Sequence, residues 1–177
     1  MKLVQALVAL VGGLILVLMV GSLMLSPDYA VSRSVLVNAP AAKIYPLIES
    51  SKGWASWGVW YRKDPQMQVT ETGVEKGIGA AWRWKSESQG NGSMKLTAAV
   101  PDQKVGYELA IDDFDPSQGE LSLAAEGQAT RVTWTMQGHM SSRSGRWFAL
   151  FMDKLVGPDF EAGLTNLKQL AETEKKN

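Results

Sequence analysis

The sequence contains no cysteine among its 177 residues. Disulfide bonds, thiolate metal sites, a cysteine nucleophile and a lipid attached through an N-terminal cysteine are therefore excluded. Histidine is nearly absent as well, because His139 is the single one. This argues against a polyhistidine metal centre and against a hydrolase that depends on a Ser-His-Asp triad. We expect no metal, no other cofactor and no identifiable catalytic residue.

An excess of charge of either sign is also missing. The chain has 18 Lys plus Arg and 18 Asp plus Glu, so its formal net charge is zero. Binding to nucleic acid depends on a positive excess that displaces counterions from the phosphates. We therefore expect no nucleic-acid partner, and nothing in the sequence identifies a protein partner.

Residues Leu3–Leu25 form a long run without any charge. At about 1.5 Å per residue, a helix of this length reaches about 34 Å, slightly more than the roughly 30 Å of the hydrocarbon core. The apolar region of a cleaved signal peptide is shorter, and no convincing cleavage site follows this run. We predict an uncleaved single-pass transmembrane helix, with residues 1–28 as anchor and linker. We expect the amino end inside and the following domain on the periplasmic side.

Residues 29–177 are of the size of one domain with its own core. Residues 31–37 are predicted to form a first strand, and Asn38 and Pro40 to start the first of two short helices. A weak strand over 66–72 precedes five runs of alternating apolar and polar residues. Such runs predict an antiparallel sheet with one apolar face. They are Ile78–Trp84, Met94–Val100, Val105–Ile111, Leu121–Ala125 and Val132–Met136.

After Ser141 the apolar spacing becomes helical, with Ser144 as the predicted cap. The apolar stripe is interrupted at Gly157–Pro158, where we expect a kink or a break. The stripe comprises Trp147, Phe148, Phe151, Met152 and Leu155, followed by Phe160, Leu164, Leu167 and Ala171. This helix is the only element long enough to cover the sheet, so the predicted fold class is α+β.

This order of elements resembles the helix-grip fold of the START-related SRPBCC superfamily, and most closely its polyketide cyclase/dehydrase and lipid-transport branch. The residues that carry the likeness are Asn38–Pro40 with Ile44–Ile48, Trp54, Trp57, Gly77–Gly79, Trp82, Trp84, Ala129–Trp134 and Phe160–Lys168. The resemblance covers nearly all of 31–173 and excludes the apolar N-terminal run. It implies a curved seven-stranded antiparallel sheet wrapped around a long C-terminal helix, with a cavity for hydrophobic ligands between them.

Aromatic and aliphatic residues on the predicted inner faces are the candidate ligand contacts. The alternative for each of them is that it fills the core. The candidate cavity residues are Trp82, Trp84, Tyr107, Leu109, Trp134, Met136, Trp147, Phe148 and Phe151. Trp57 and Trp60 are candidates for the cavity mouth or a membrane interface, because tryptophan favours that depth. Packing of Trp57 against the sheet is the alternative.

Other polar residues have ordinary explanations. We expect His139 on the wet face of the sheet and Arg143 and Arg146 in solvent, although the two arginines could contact an anionic head group. Four acidic residues are spaced as in turns and lack the pattern of a calcium loop. These are Asp112, Asp113, Asp115 and Glu120.

Three functions stay open on the sequence. The first is a membrane-anchored protein that binds a hydrophobic small molecule or lipid in an apolar cavity. The second is a cyclase- or isomerase-type enzyme acting on a hydrophobic, polyketide-like substrate, which would need an acid or base inside the cavity. The third is a partner-binding membrane protein whose cavity is filled by its own side chains.

Overall fold

The computed structural model describes residues 1–112 and 114–173, and Asp113 and residues 174–177 lie outside the described part. The chain begins with helix α1, Lys2–Met24, whose 23 residues are long and apolar enough to cross a membrane. A membrane span and a signal sequence share these properties. Most of its side chains point away from the rest of the protein, which confirms the predicted apolar N-terminal helix.

The remaining elements follow the predicted order. Strand β1 is Asp28–Val37, and short helices and one 3₁₀ turn (Tyr45–Leu47) come after it. The short helices are α2 Ala41–Ile44, α3 Ser51–Trp57 and α4 Val59–Lys63. The other strands are β2 Gln68–Glu71, β3 Ala81–Lys85, β4 Gly92–Val100, β5 Lys104–Ile111, β6 Ser117–Glu126 and β7 Ala129–His139. Helix α5, Arg143–Glu172, closes the described chain.

The strands form one antiparallel sheet in the order β1-β7-β6-β5-β4-β3-β2. Each strand from β2 to β7 pairs with its neighbour in sequence, while β1 pairs with β7 along its full length. The register shifts between Leu96 and Ala98, where β4 carries a bulge that adds curvature. The predicted seven-stranded helix-grip architecture is confirmed.

Helix α5 lies across the edge strand β1 and fixes it through polar contacts. Arg33 of β1 donates to Asp153 at 2.8 Å and to Glu161 at 2.6 Å, two carboxylates that flank Gly157 on the helix. Lys168 donates to the Leu36 carbonyl at 2.7 Å. Because an edge strand presents unpaired backbone groups, this cover protects it from pairing with another chain.

The core is centred on Trp134 of β7. Its ring stacks on Phe160 of α5 at a centroid distance of 3.8 Å and an angle of 7°. The rings of Trp54, Trp57 and Trp60 meet it edge-on at 5.4, 5.2 and 5.9 Å. Five aromatic rings from the sheet, the short helices and α5 thus share one packing site, with one stacked pair and three T-shaped pairs.

Three details of the helices differ from the prediction. Ser142, and not Ser144, caps α5 by accepting from the Gly145 N–H at 3.0 Å. Asn38 is not the cap of α2, because Pro40 occupies that position and the Asn38 N–H donates to Glu172. Helix α5 runs through Pro158 without a break, since packing of the following turns against the sheet outweighs the lost hydrogen bond.

We predict that Gly119→Ala destabilises the full chain by about 1–3 kcal/mol, because an overpacked site forces its neighbours apart. A Cβ at Gly119 would overlap the ring of Tyr107 and lie 2.7 Å from the Thr135 carbonyl oxygen. Denaturation in urea, followed by circular dichroism in detergent micelles, measures the change. Gly106→Ala is the matched control, since the nearest atoms to its Cβ would be the Ala98 methyl group at 3.2 Å and Thr97 Oγ1 at 3.5 Å, neither of which it would overlap. Equal stability of the two variants would contradict this account.

Candidate ligand-binding cavity

A cavity of about 320 Å³ lies between the sheet, helix α4 and the first half of α5. This volume is near the lower end of the range for small-molecule sites. The floor is made by buried aromatic rings: Trp54, Trp82, Tyr107, Trp134 and Phe160. At the rim, Phe114, Phe148 and Leu155 are about half exposed, at 50%, 52% and 58%. The Phe114 and Phe148 rings meet edge-on at 6.4 Å, so the loop between β5 and β6 contacts α5 there.

Three wall aromatics lie opposite glycines on the neighbouring strand. Tyr29 is paired with Gly138, Trp84 with Gly92, and Tyr107 with Gly119. In each pair a Cβ on the glycine would overlap the aromatic ring. The rings therefore lie across the strands and leave the space above them open. The glycines determine the shape of the cavity wall through this close approach.

Three tyrosines, Tyr29, Tyr61 and Tyr107, contribute hydroxyl groups to the cavity wall. Tyr107 accepts a hydrogen bond from Trp134 Nε1 at 2.7 Å, deep in the core. Burial raises the pKa of Tyr107 and of Tyr29 above the ordinary value, and it raises the pKa of Tyr61 to about 12. These hydroxyls are protonated at neutral pH, so they can donate hydrogen bonds but do not act as bases.

Asp115 is the acidic residue at the cavity wall. Its carboxylate accepts from the Ser141 N–H at 2.6 Å and from the Ser141 hydroxyl at 3.1 Å. These hydrogen bonds lower the pKa of Asp115, so it is ionised at neutral pH. Asp115 thus ties the β5–β6 loop to the segment before α5, and both oxygens are engaged in that contact.

Most of the residues predicted as ligand contacts surround this cavity. Those that line it are Trp60, Trp82, Trp84, Tyr107, Leu109, Trp134, Met136 and Phe148. The alternation of the strands accounts for the sheet residues in this set, because one face of the sheet points toward α5. Their role as ligand contacts stays a prediction.

Three predicted residues lie elsewhere, and for these the structure corrects the prediction. Trp57 is not at the mouth: its exposed fraction is 0%, and its Nε1 donates to the Leu47 carbonyl at 2.8 Å. Trp147 contacts helix α1, where its Nε1 donates to the Leu18 carbonyl at 3.3 Å. Phe151 is 47% exposed and does not line the cavity. The rotation of α5 about its own axis directs Trp147 and Phe151 away from the cavity.

Sequence reasoning did not identify several residues of the wall. Tyr29 precedes the predicted first strand, although it shares the face of Val31. Tyr61 lies in a short helix and Phe114 in a loop, and neither segment has a periodic pattern. Further residues of the lining are Trp54, Met67, Gln89, Met94, Ile111, Asp115, Ser117, Met140, Met152, Leu155, Val156 and Phe160. The alternating pattern of β4 and β5 indicated Met94 and Ile111, and the apolar stripe of α5 indicated Met152.

The remaining candidates lie outside the cavity. His139 is exposed, and its Nδ1 lies 2.7 Å from a carboxylate oxygen of Asp28 at the sheet edge. Asp112 accepts from the Asn91 N–H, and Glu120 pairs with Lys104. The predicted turn residue Asp113 lies outside the described residues. In the described ranges, 1–112 and 114–173, no group of three or more His, Asp or Glu residues is placed to hold a metal ion.

Comparison with protein families gives one match, which covers residues 29–172. The matching model describes polyketide cyclase/dehydrase and lipid transport proteins. No significant match was found among curated proteins.

Solved structures with this fold are distant in sequence. Protein CV1439 from Chromobacterium violaceum is 12% identical, with a TM-score of 0.61 over 82% of this chain and 98% of that chain. CalU16 from Micromonospora echinospora is 15% identical, with a TM-score of 0.56 over 81% and 76%. The di-domain ARO/CYC BexL from the BE-7585A biosynthetic pathway is 14% identical, with a TM-score of 0.62 over 84% of this chain and 51% of that one. At such identities the likeness shows the fold.

Burial raises the pKa of all four tyrosines above 10.0, and that of Tyr61 to about 12, so we predict that at about pH 11 the native protein carries less tyrosinate than the unfolded chain. The unfolded chain ionises near pH 10, so the stability conferred by the neutral hydroxyls is complete below that pH and is lost as the pH rises further. Absorbance at the tyrosinate band, compared between native and urea-unfolded chain, measures this. A folded chain with as much tyrosinate as the unfolded chain at that pH would contradict the prediction.

Proposed function

The chain belongs to the polyketide cyclase/dehydrase and lipid transport family, and we propose that it binds an apolar or amphipathic small molecule, such as a lipid, while anchored to a membrane by α1. The observation that carries this proposal is the open aromatic cavity between the sheet and α5. An apolar pocket with few polar groups binds through burial of apolar surface, and the polar groups orient the ligand.

The composition of the wall supports an apolar ligand. Apart from tyrosine hydroxyls, the polar side chains that line the cavity are Gln89, Asp115 and Ser117. Asp115 is the one ionised side chain in the described lining, and both of its carboxylate oxygens already accept hydrogen bonds from Ser141. Five methionines line the wall, and their flexible thioethers adapt to ligands of irregular shape. They are Met67, Met94, Met136, Met140 and Met152.

The anchor half of the proposal is supported by the way α1 joins the domain. Ser22, near the end of α1, is only 1% exposed, and its carbonyl accepts from Arg146 at 3.2 Å. A cleaved signal peptide would remove these contacts. We propose that α1 is retained, that residues 1–28 are the anchor and linker, and that residues 29–177 are the binding domain, a division that the family match over 29–172 supports.

The alternative of a cyclase-type enzyme rests on the family and on the fold shared with BexL. It would require a general acid or base with a pKa near neutrality inside the cavity. The described lining offers tyrosines with raised pKa and one aspartate with a lowered pKa, which favours binding over catalysis. The alternative of a filled cavity is disfavoured by the open volume of about 320 Å³.

We predict that Leu109→Trp lowers affinity for an apolar fluorescent probe, such as anilinonaphthalene sulfonate, by roughly tenfold or more, equivalent to about 1.4 kcal/mol or more. Leu109 lines the cavity, so the larger ring would occupy its volume. Leu170→Trp is the matched control, because Leu170 is 39% exposed at the far end of α5. Titration of the full chain in micelles, corrected for probe bound to micelles alone, measures both.

Native mass spectrometry of the full chain from its own membranes complements this titration. A co-purified apolar molecule recovered unchanged supports binding, whereas a modified product formed from an added substrate supports the enzyme. A chain that carries no ligand and binds no probe would overturn the proposal.

The orientation of the domain has its own test, because the chain lacks cysteine and a single one can be introduced. We predict that Leu170→Cys, produced in bacteria, reacts with a membrane-impermeant maleimide on cells whose outer membrane is permeabilised. This is the result for a periplasmic domain with the amino end inside. The cysteine-free parent is the control, and reaction only after lysis of the inner membrane would show that the domain is cytoplasmic.

A further inference from the structure

Helix α5 begins against the end of α1, inside the segment that has the length of a membrane span. Trp147 Nε1 donates to the Leu18 carbonyl at 3.3 Å, and Arg146 donates to the Ser22 carbonyl at 3.2 Å. The Trp147 ring lies 3.0 Å from the position that a Cβ on Gly21 would take, so the close approach depends on that glycine. The start of α5 is thus held at a defined level of α1.

When α1 spans a bilayer, the part of α1 that contacts the start of α5 lies inside the membrane. The 23 residues of α1 reach about 34 Å, against a hydrocarbon core of roughly 30 Å, so nearly the whole helix is used. Leu18 lies six residues before the final Met24, which is about 9 Å along the axis. Trp147 is therefore placed just inside the edge of the hydrocarbon, close to the interface that tryptophan favours.

The first half of α5 carries an exposed apolar surface next to this contact. Phe148, Leu150, Phe151 and Leu155 are 52%, 56%, 47% and 58% exposed, and Phe114 from the adjacent loop is 50% exposed. We call these five residues the apolar patch. The second half of α5 differs, because Phe160, Leu164 and Leu167 are buried against the sheet. The apolar patch is thus confined to the half of the helix that begins at α1.

The charges on the first half of α5 suit an anionic lipid surface, and Asp112 and Asp115, which flank Phe114, accept hydrogen bonds from Asn91 and Ser141. Arg143, Arg146 and Lys154 lie in the first half of α5, and its one carboxylate, Asp153, already pairs with Arg33. Arg146 Nε is buried and has no hydrogen-bond partner among residues 1–112 and 114–173. Basic side chains near the membrane surface attract the phosphates of anionic lipids.

We infer that the apolar patch is embedded in the interface of the same membrane that α1 crosses, and that the cavity opens toward the bilayer there. Phe114, Phe148 and Leu155 are exposed and also line the cavity, so its rim belongs to the patch. An apolar ligand could then pass between leaflet and cavity without crossing water. This inference rests on the anchor half of the proposed function and adds the surface and the direction of entry.

Fluorescence quenching by lipids tests the position of the patch. The variants Phe151→Cys and Leu170→Cys, labelled with a nitrobenzoxadiazole dye, are reconstituted as full chains in vesicles of phosphatidylcholine and phosphatidylglycerol. Both residues are partly exposed on α5, at 47% and 39%, and lie about 28 Å apart along the helix. We expect doxyl-labelled lipids to quench the dye at 151 several-fold more than at 170, since interfacial side chains reach about 5–10 Å into the head-group boundary. Equal quenching at the two positions would overturn the inference.

A second variant separates this inference from the proposed function. Leu150→Ser with Phe151→Ser changes the apolar patch but not the cavity wall, because neither residue lines the cavity. Its affinity for a water-soluble apolar probe should match the parent, while the rate at which an apolar dye moves from vesicles into the protein should fall several-fold. An unchanged rate would count against entry from the bilayer. If the parent binds no apolar molecule but the dye at 151 is still quenched, the proposed ligand binding fails and the membrane contact stands.

Discussion

The packing around Trp134 is the interaction on which the rest of the structure depends. This residue joins the middle of β7 to α5 through its stack on Phe160, and to α3 and α4 through edge contacts with Trp54, Trp57 and Trp60. Its Nε1 donates to the hydroxyl of Tyr107 two strands away, and an unpaired buried donor would cost about 1–3 kcal/mol. The sheet, the short helices and α5 are therefore positioned by one side chain, and the cavity floor is set with them.

Two features of the packing keep the cavity open beside the dense core. Large rings on one strand lie across glycines on the next, as in the pairs of Tyr107 with Gly119 and Trp84 with Gly92, so the wall is flat and stiff there. The opposite wall comes from α5, whose distance from the sheet is fixed where Gly163 approaches Trp134 and Trp57. Rigid packing at one end of the helix thus keeps space open at the other, because a dense core transmits strain and does not yield.

The sequence predicted the sheet better than it predicted the helices. In a sheet with one apolar face, parity alone assigns Trp82, Tyr107 and Trp134 to the same side, and this required no knowledge of the partner element. For α5 the stripe is wide enough that its rotation depends on tertiary contacts. This is why Trp147 and Phe151 were predicted to face inward and do not. Phe114 lies in a loop without any periodic pattern, and its contact with Phe148 exists only in three dimensions.

Helix α5 combines two environments that a soluble protein would keep apart. Its second half is amphipathic in the usual way, with apolar residues buried and polar residues such as Glu161 and Lys168 outside, where they bind β1. Its first half exposes large apolar side chains, and an exposed apolar patch of this kind marks an interaction surface. The two halves meet at Gly157, where the Arg33 guanidinium lies against the helix and would be displaced by a larger side chain. Because the helix is continuous through this point, the core that grips one half also fixes the angle of the other relative to α1. The first half of α5 is thus exposed because the packing of the whole domain fixes the direction of the helix, and not because the helix is locally disordered.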